Sequence, residues 1–300
     1  METRRLHYFV QIVEAGSISR AAAIMGMAQP ALSQQLAILE GEMKARLVDR
    51  TSSGVRPTEA GQRLYTRAQA LLRQFDSLRL EVIELSGTEA GAVSIGLPPT
   101  LGQFLGLRLL ARVRREAPGI QIHLAEQGSA ALATGLHNGT LDMAVCPLQL
   151  PDNSLSGVEL FSEELFLLAA PELLPGIRDI RDIAALPWIV TSAWNSIRTR
   201  LYALMGDRVP NVVAEVNSLP LVIESVRQGL GVTLLTRLPV EEALAHGDIV
   251  AVRLGPPPPH RTVFLYQRAD LVLSAAQQRV RQIIIELAST LVSPDELPSP

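Results

Sequence analysis

Apolar side chains recur at helical spacing through the first 40 residues, in three separate blocks. Leu6, Phe9, Val10 and Val13 share one face of a helix predicted over residues 2–14. A second helix, over roughly Ile18–Met25, buries Ala21, Ala22 and Met25 and keeps small side chains where another helix must cross it. Gly26-Met27-Ala28 forms a turn, with Gly26 free to take a positive φ. Gln29-Pro30 opens a third helix, because proline fits a first turn whose N–H groups have no helical partner. Leu32, Leu36 and Leu39 face inward, completing a three-helix core. The opposite face presents Gln29, Ser33 and Gln34, uncharged hydrogen-bonding side chains near a helix N-terminus. These residue types read base edges in a major groove. An ordinary helical hairpin is the alternative.

After Glu42 the pattern shortens. RLVDRTSSGVRPTEAG has β-forming ends and turns at Ser52-Ser53-Gly54, which predicts a small hairpin, or wing. Arg50 and Arg56 flank the turn and suit phosphate contacts on either side of a groove; a merely solvated loop is the alternative. A long helix follows over about residues 60–86, with Leu64, Ala68, Leu71, Phe75, Leu78, Val82 and Leu85 spaced alternately four and three apart. That heptad stripe predicts a dimerising coiled-coil seam roughly 40 Å long. Packing on its own domain is the alternative. Gly87 to Gly91 ends the helix as a hinge.

Beyond it, strands and helices alternate, which implies parallel strands covered by helices. Strands are predicted at 92–98, 120–127, 141–148, 164–170, 187–191, 211–216, 231–236, 249–254 and 262–267. Helices are predicted near 101–116, 130–138, 196–206, 218–229 and 271–291. Pro256–Pro259 is a rigid connector between strands, and the tail SPDELPSP is expected to be disordered. The chain thus divides into 1–58, 59–90 and 91–300.

Three hundred residues, 47% of them hydrophobic, support two sizeable cores. The net charge of −3 is unevenly spread: residues 1–85 carry eleven Arg and Lys against nine Asp and Glu, the remainder sixteen against twenty-one. The basic footprint is therefore a matter of placement (Arg4, Arg5, Arg20, Arg50, Arg56) and not of a strongly cationic domain. The single Cys146 excludes an intramolecular disulfide, and its place in an apolar strand favours a buried structural thiol over a nucleophile or redox sensor. The five histidines show no metal-ligand spacing, and neither a phosphate-cradling loop nor a nucleophile elbow is present, so neither cofactor nor enzyme activity is expected. The start has no signal-peptide apolar core, and no stretch reaches the length of a membrane helix. A cytoplasmic protein, with no membrane partner, is the expectation.

AAAIMGMAQPALSQQLAILEGEM resembles the helix-turn-helix signature of the LysR-type transcriptional regulators. VDRTSSGVRPTEAG resembles their wing and the start of their linker helix, and the C-terminal 210 residues resemble their effector domain. The opening RRLHYFVQIVEAGS, AQPALSQQ and QLAILEGEM are similar to one subgroup, the nitrogen assimilation control proteins of enteric bacteria. The resemblance implies an α+β two-domain chain: an N-terminal winged helix-turn-helix with a long linker helix, and a C-terminal α/β periplasmic-binding-protein-like effector domain of two lobes. It also implies homodimers or homotetramers on pseudo-palindromic double-stranded DNA, and a possible small-molecule effector between the lobes, which the subgroup is not known to need. Met43-Lys44 stands where the family usually has Leu-Gly, Val48 where Phe is common, and Glu126-Gln127-Gly128-Ser129 stretches a shorter family motif.

Gln29, Ser33 and Gln34 are assigned to base edges, Pro30 to a thymine methyl, and Ser17, Ser19, Arg50, Arg56 and Thr58 to the DNA backbone. In a two-lobed α/β domain, ligands sit beyond the carboxyl ends of strands, where helix N-termini offer N–H groups. Thr100, Gly128, Ser129, Thr191, Ser192, Trp194, Ser196, Asn217 and Ser218 occupy such places and suit a small anion such as a carboxylate. For any single Ser, Thr or Asn among them, helix capping alone is the stronger reading and needs no ligand. A rival class is a non-DNA, small-solute-binding α/β protein with a helical appendage. Removing residues 1–60 separates the two, because only a regulator loses DNA affinity.

Overall fold

The computed structural model describes residues 2–51, 54–84, 90–147, 149–150, 153–174, 182–191, 196–255 and 257–291. Three helices, α1 (Thr3–Ala15), α2 (Ile18–Ile24) and α3 (Gln29–Met43), enclose a core of Leu6, Phe9, Val10, Ile12, Ile18, Ala21, Leu32, Leu36 and Leu39. Ile12 replaces Val13 as the innermost residue at that end of α1; Val13 and Met25 lie half-buried against the core. Gly26 has φ 62°, as the turn requires.

The wing is an antiparallel pair, β1 (Val48–Thr51) and β2 (Gly54–Pro57), with Ser52 and Ser53 outside the described residues. It is held closely. Val55 N donates to Gly16 O at 2.8 Å, and a Cβ on Gly54 would lie 2.3 Å from that oxygen. The linker helix α4 (Glu59–Glu84) starts against the wing's base, where a Cβ on Gly61 would stand 1.8 Å from Leu47 O. Both glycines permit backbone approaches that a side chain forbids.

The linker helix corrects the dimer seam. Leu64 and Ala68 pack into the core of their own domain beside Tyr65 and Leu72, so the first turns of the stripe are intramolecular. Leu71 and Phe75, on the same stripe, are 50% and 59% exposed. Leu78 and Val82 have side chains outside the described residues, as does Leu85 with most of the predicted hinge; Ala90 and Gly91 belong to the next strand.

The C-terminal part has two lobes. In the first, β3 (Ala90–Leu97) is followed by α5 (Pro99–Leu101), which passes through a π-helical stretch at Gly102–Gly106 into α6 (Leu107–Glu116). Next come β4 (Gly119–Glu126), α7 (Ser129–Asn138), β5 (Met143–Cys146) and β6 (Leu155–Glu164). The second lobe holds β7 (Phe166–Ala169), β8 (Trp188–Val190), α8 (Ser196–Met205), β9 (Val212–Glu215), α9 (Leu219–Arg227), β10 (Thr233–Leu235), α10 (Glu241–His246) and β11 (Val250–Arg253). The chain returns to the first lobe with β12 (His260–Arg268) and α11 (Ala275–Thr290).

The first lobe's sheet runs β4-β3-β5-β12-β6, covered by α6 and α11 on one face and by α7 on the other. The second lobe pairs β10-β7-β11, with the β8-β9 pair attached through a Trp188–Val232 bridge. Parallel pairing, expected throughout, holds for β3, β4, β5 and for β8 with β9; β12 and β7 run antiparallel to their neighbours because they are the strands that carry the chain between lobes. The two crossovers bond to each other, Leu165 N donating to Pro259 O at 2.8 Å. The proline run therefore ends in a lobe crossover, a larger role than a strand connector; Pro256 itself lies outside the described residues.

Helices α6 and α11 are joined by a charge network. Arg112 bonds Glu116 (3.0 Å) and Glu286, and Arg279 bonds Glu116 at 2.9 Å. Hydrogen bonds from Arg115 and Arg112 hold the Glu116 carboxyl below its ordinary 4.5, and those from Gln282 and Arg112 lower Glu286 likewise. A lowered carboxylate contributes stability that is fully present above its unfolded pKa and is lost as pH falls through the folded value. The melting temperature should therefore decline below about pH 4.5, and Glu116→Gln with Glu286→Gln should flatten that decline. Thermal melts from pH 6 to 3 at low salt check it.

Candidate nucleic-acid interface and interlobe cleft

The N-terminus of α3 stands clear of the core. Gln29, Pro30 and Gln34 are exposed, and Ser33 is half-buried with its Oγ accepting from Arg50 Nη2 at 3.0 Å. Ser17 is the N-cap of α2; its Oγ accepts from Arg20 N at 3.4 Å, which leaves its proton free to point outward beside exposed Ser19. Thr58 is differently occupied. Its hydroxyl donates to Arg46 O at 2.7 Å and accepts from Gly61 N at 3.0 Å, so it caps the linker helix and has no proton left for a phosphate.

Arg50 and Arg56 do not flank the turn symmetrically. Arg50 is paired across the ribbon with Val55, and Arg56 with Asp49. Successive strand residues point to opposite faces, so the two arginines leave the wing on opposite sides. Arg50 shares the face of buried Val48 and turns toward α3; Arg56 stands exposed on the outer face. Of the other basic residues, Arg4 and Arg20 are exposed, whereas Arg5 is held by Glu42 and Gln35.

Between the lobes, a cleft is lined by Thr100, Gly128, Ser129, Thr191, Ser196 and Asn217 among others, bringing six of the nine sequence-predicted residues together. Ser192 and Trp194 lie outside the described residues. Ser218 stays off this wall, exposed at the N-cap of α9. Thr100 and Ser129 do not cap their helices: the N-caps are Pro98 and Gly128, and both hydroxyl residues sit buried in first turns facing the cleft. The cleft keeps a cavity of about 60 Å³, room for roughly four waters.

The strongest electrostatic feature of the cleft was not marked in the sequence. Arg261, 3% exposed, lines its floor and donates to Glu163 from Nε at 2.6 Å and to Thr100 Oγ1 from Nη2 at 3.0 Å. Glu163 already balances this charge, so the cleft offers hydroxyls and helix amides to a ligand more than a free cation. Thr191 Oγ1 is buried in the wall with no hydrogen-bond partner among the described residues. Arg198 closes the rim, bonding Thr191 O at 3.0 Å and Glu215 at 2.6 Å; the Glu215 and Tyr202 interactions raise its pKa above the ordinary guanidinium value.

Residues 3–62 match the bacterial regulatory helix-turn-helix proteins of the lysR family, and residues 86–289 match the LysR substrate binding domain. The chain belongs to the LysR family. It is thus a DNA-binding transcriptional regulator with an effector-binding domain. The nitrogen assimilation regulatory protein nac of Escherichia coli is 35% identical over 295 residues, covering 97% of each chain. Its Klebsiella aerogenes counterpart is 34% identical over 292 residues, covering 96% of each. Among solved structures, a full-length OxyR variant from Pseudomonas aeruginosa covers 99% of both chains with a TM-score of 0.71 at 24% identity, a likeness of fold.

One departure from the LysR pattern has a visible geometry. Lys44, where the family usually has glycine, caps α3 in the left-handed region at φ 52°, alone among the described non-glycine residues. Left-handed backbone costs an ordinary L-residue roughly 1 kcal/mol, which is why glycine is usual at such a cap.

Proposed function

We propose that this LysR protein acts in the cytoplasm as a non-catalytic regulator of the nitrogen-assimilation-control kind, pairing two reading heads on an inverted-repeat DNA site. The observation that carries the reading is the bare, uncharged N-terminal face of α3, where Gln29 and Gln34 stand exposed between α2 and the wing. The two nac relatives, matched along nearly their whole length, support the nitrogen-control assignment. No helix among the described residues is long and apolar enough to cross a membrane. Homodimers form through the exposed Leu71–Phe75 part of the linker stripe, and effector-domain pairing extends them to tetramers.

Base-reading and phosphate-binding roles separate by experiment. Gln29→Ala should relax discrimination at one base pair per half-site, by about 1–3 kcal/mol. Arg56→Ala should weaken binding evenly across sequences and reduce the slope of log K against log salt by about one. A gel-shift series over salt and sequence measures both; indifference to both substitutions contradicts the interface.

A regulator of the nitrogen-control kind works without an effector; in the effector-controlled alternative the cleft takes a small anion, its acidic group on the hydroxyls of Thr100, Ser129 and Thr191 and the first-turn amides of α7. That helix also leads outward. It starts at the cleft with Ser129 and ends beneath the linker helix, where Arg67 Nη1 donates to His137 O at 3.4 Å and Ala70 lies against Gly139. An effector that binds one lobe arrangement better than another shifts α7, and with it the angle of the linker.

A further inference from the structure

Arg50 and Ser33 read as two separate DNA contacts, one on phosphate and one on a base. The structure joins them through the 3.0 Å bond from Arg50 Nη2 to Ser33 Oγ. Other bonds also fix the wing to the rest of the head. At the wing's base, Glu40 Oε1 accepts from Leu47 N at 2.8 Å and from Val48 N at 3.3 Å. Along β2, Gly16 O accepts from Val55 N. The Arg50 tie reaches the exposed N-terminal surface of α3, and it leaves β1 on the inward face with Val48.

A serine hydroxyl has one proton and two lone pairs. Arg50 has no acceptor and takes one of the lone pairs, so the Ser33 proton points away from the wing. In the major groove a donor is met by guanine N7 and O6, adenine N7 or thymine O4, whereas cytosine presents its own amino donor. We propose that Arg50 is a positioning residue for sequence readout: it fixes the Ser33 rotamer and turns its hydroxyl into a donor toward an acceptor on the base beneath it. This rests on the placement of α3 in the major groove and assigns Arg50 a task beyond a phosphate clamp.

The test uses the full-length protein and four duplexes that differ only at the base pair identified by Ser33→Ala. Affinities are measured for wild type, Ser33→Ala, Arg50→Met and the double variant, each over a salt series. Ser33→Ala and Arg50→Met should each compress the ratio of best to worst duplex about fivefold or more at the same position, and the double variant should compress it no further. If Arg50→Met weakens all four duplexes equally, keeps the ratio within twofold and lowers the salt slope by about one, Arg50 is a phosphate contact only and the proposal fails. Should Arg50→Met bind no duplex, Arg50→Lys decides: its rotating ammonium lacks the planar guanidinium geometry, so a relaxed ratio at unchanged salt slope supports the proposal and an unchanged ratio overturns it. Gln29→Ala tests groove placement independently. Its failure removes the interface itself, whereas a normal Gln29→Ala result with an unaltered Arg50→Met ratio removes only the positioning role.

Discussion

Replacing Leu71 and Phe75 together with arginine should halve the sedimenting mass of the protein and lower its affinity for an inverted-repeat site at least about a hundredfold. Both side chains lie on the same face of the linker helix, four residues apart, and are 50% and 59% exposed in the isolated chain. Nearer the N-terminus of that stripe, Leu64 and Ala68 are already packed on the core of their own domain. The helix runs past its own core, so an apolar stripe that starts buried is exposed at Leu71 and Phe75. Covering a leucine and a phenylalanine on each of two chains contributes several kcal/mol at about 1.5–3 kcal/mol per side chain. Two arginines in the same place put four positive charges in one apolar seam. Loss of the seam separates the two heads it had paired, and the millimolar effective concentration that the seam supplied to the second half-site disappears. Sedimentation velocity and fluorescence anisotropy on one preparation check the prediction; an unchanged mass contradicts the seam.

Arg261→Met should destabilise the effector domain by about 3–5 kcal/mol, because it strands a buried carboxylate. The side chains of Arg261 and Glu163 are 3% and 10% exposed, with Arg261 Nη2 2.5 Å from Glu163 Oε1. Glu163 Oε2 has no hydrogen-bond partner among the described residues even in the intact pair, so none of them is poised to compensate it. Thr100 also loses its donor. Pairing Arg261→Met with Glu163→Leu should restore most of the loss, since well-packed apolar replacements of a buried ion pair are often neutral. Thermal melts of the two variants separate the cases. Equal destabilisation in single and double variants contradicts the argument and marks the site as a packing position only.

Local pattern was enough for the DNA-binding head. Leu32, Leu36 and Leu39 mark the buried face of α3, Gly26 marks the turn, and each follows from spacing or backbone freedom within a few residues. The same spacing cannot tell a partner helix from the chain's own core, so it assigns Leu64 and Ala68 to a dimer seam. Both surfaces are apolar, and heptad spacing is blind to which one is present. Of the cleft, the hydroxyl residues at strand ends were legible because strand-to-helix junctions point there. The Arg261–Glu163 pair was not, since its members are 98 residues apart and meet only where β6 and β12 pair across the sheet. The antiparallel return strand escaped for the same reason: alternation of strands and helices fixes layers, not the direction of a strand that crosses between lobes. Opposite faces for Arg50 and Arg56 required the register of the hairpin, which a turn alone does not set.

Selection of bound sequences from a random duplex pool by the full-length protein tests the central claim most directly. Two heads joined by a linker seam should enrich an inverted repeat whose half-sites keep one fixed spacing, set by a whole number of helical turns of about 10–10.5 base pairs. Enrichment of a single asymmetric motif, or of nothing above bulk competitor, contradicts the account.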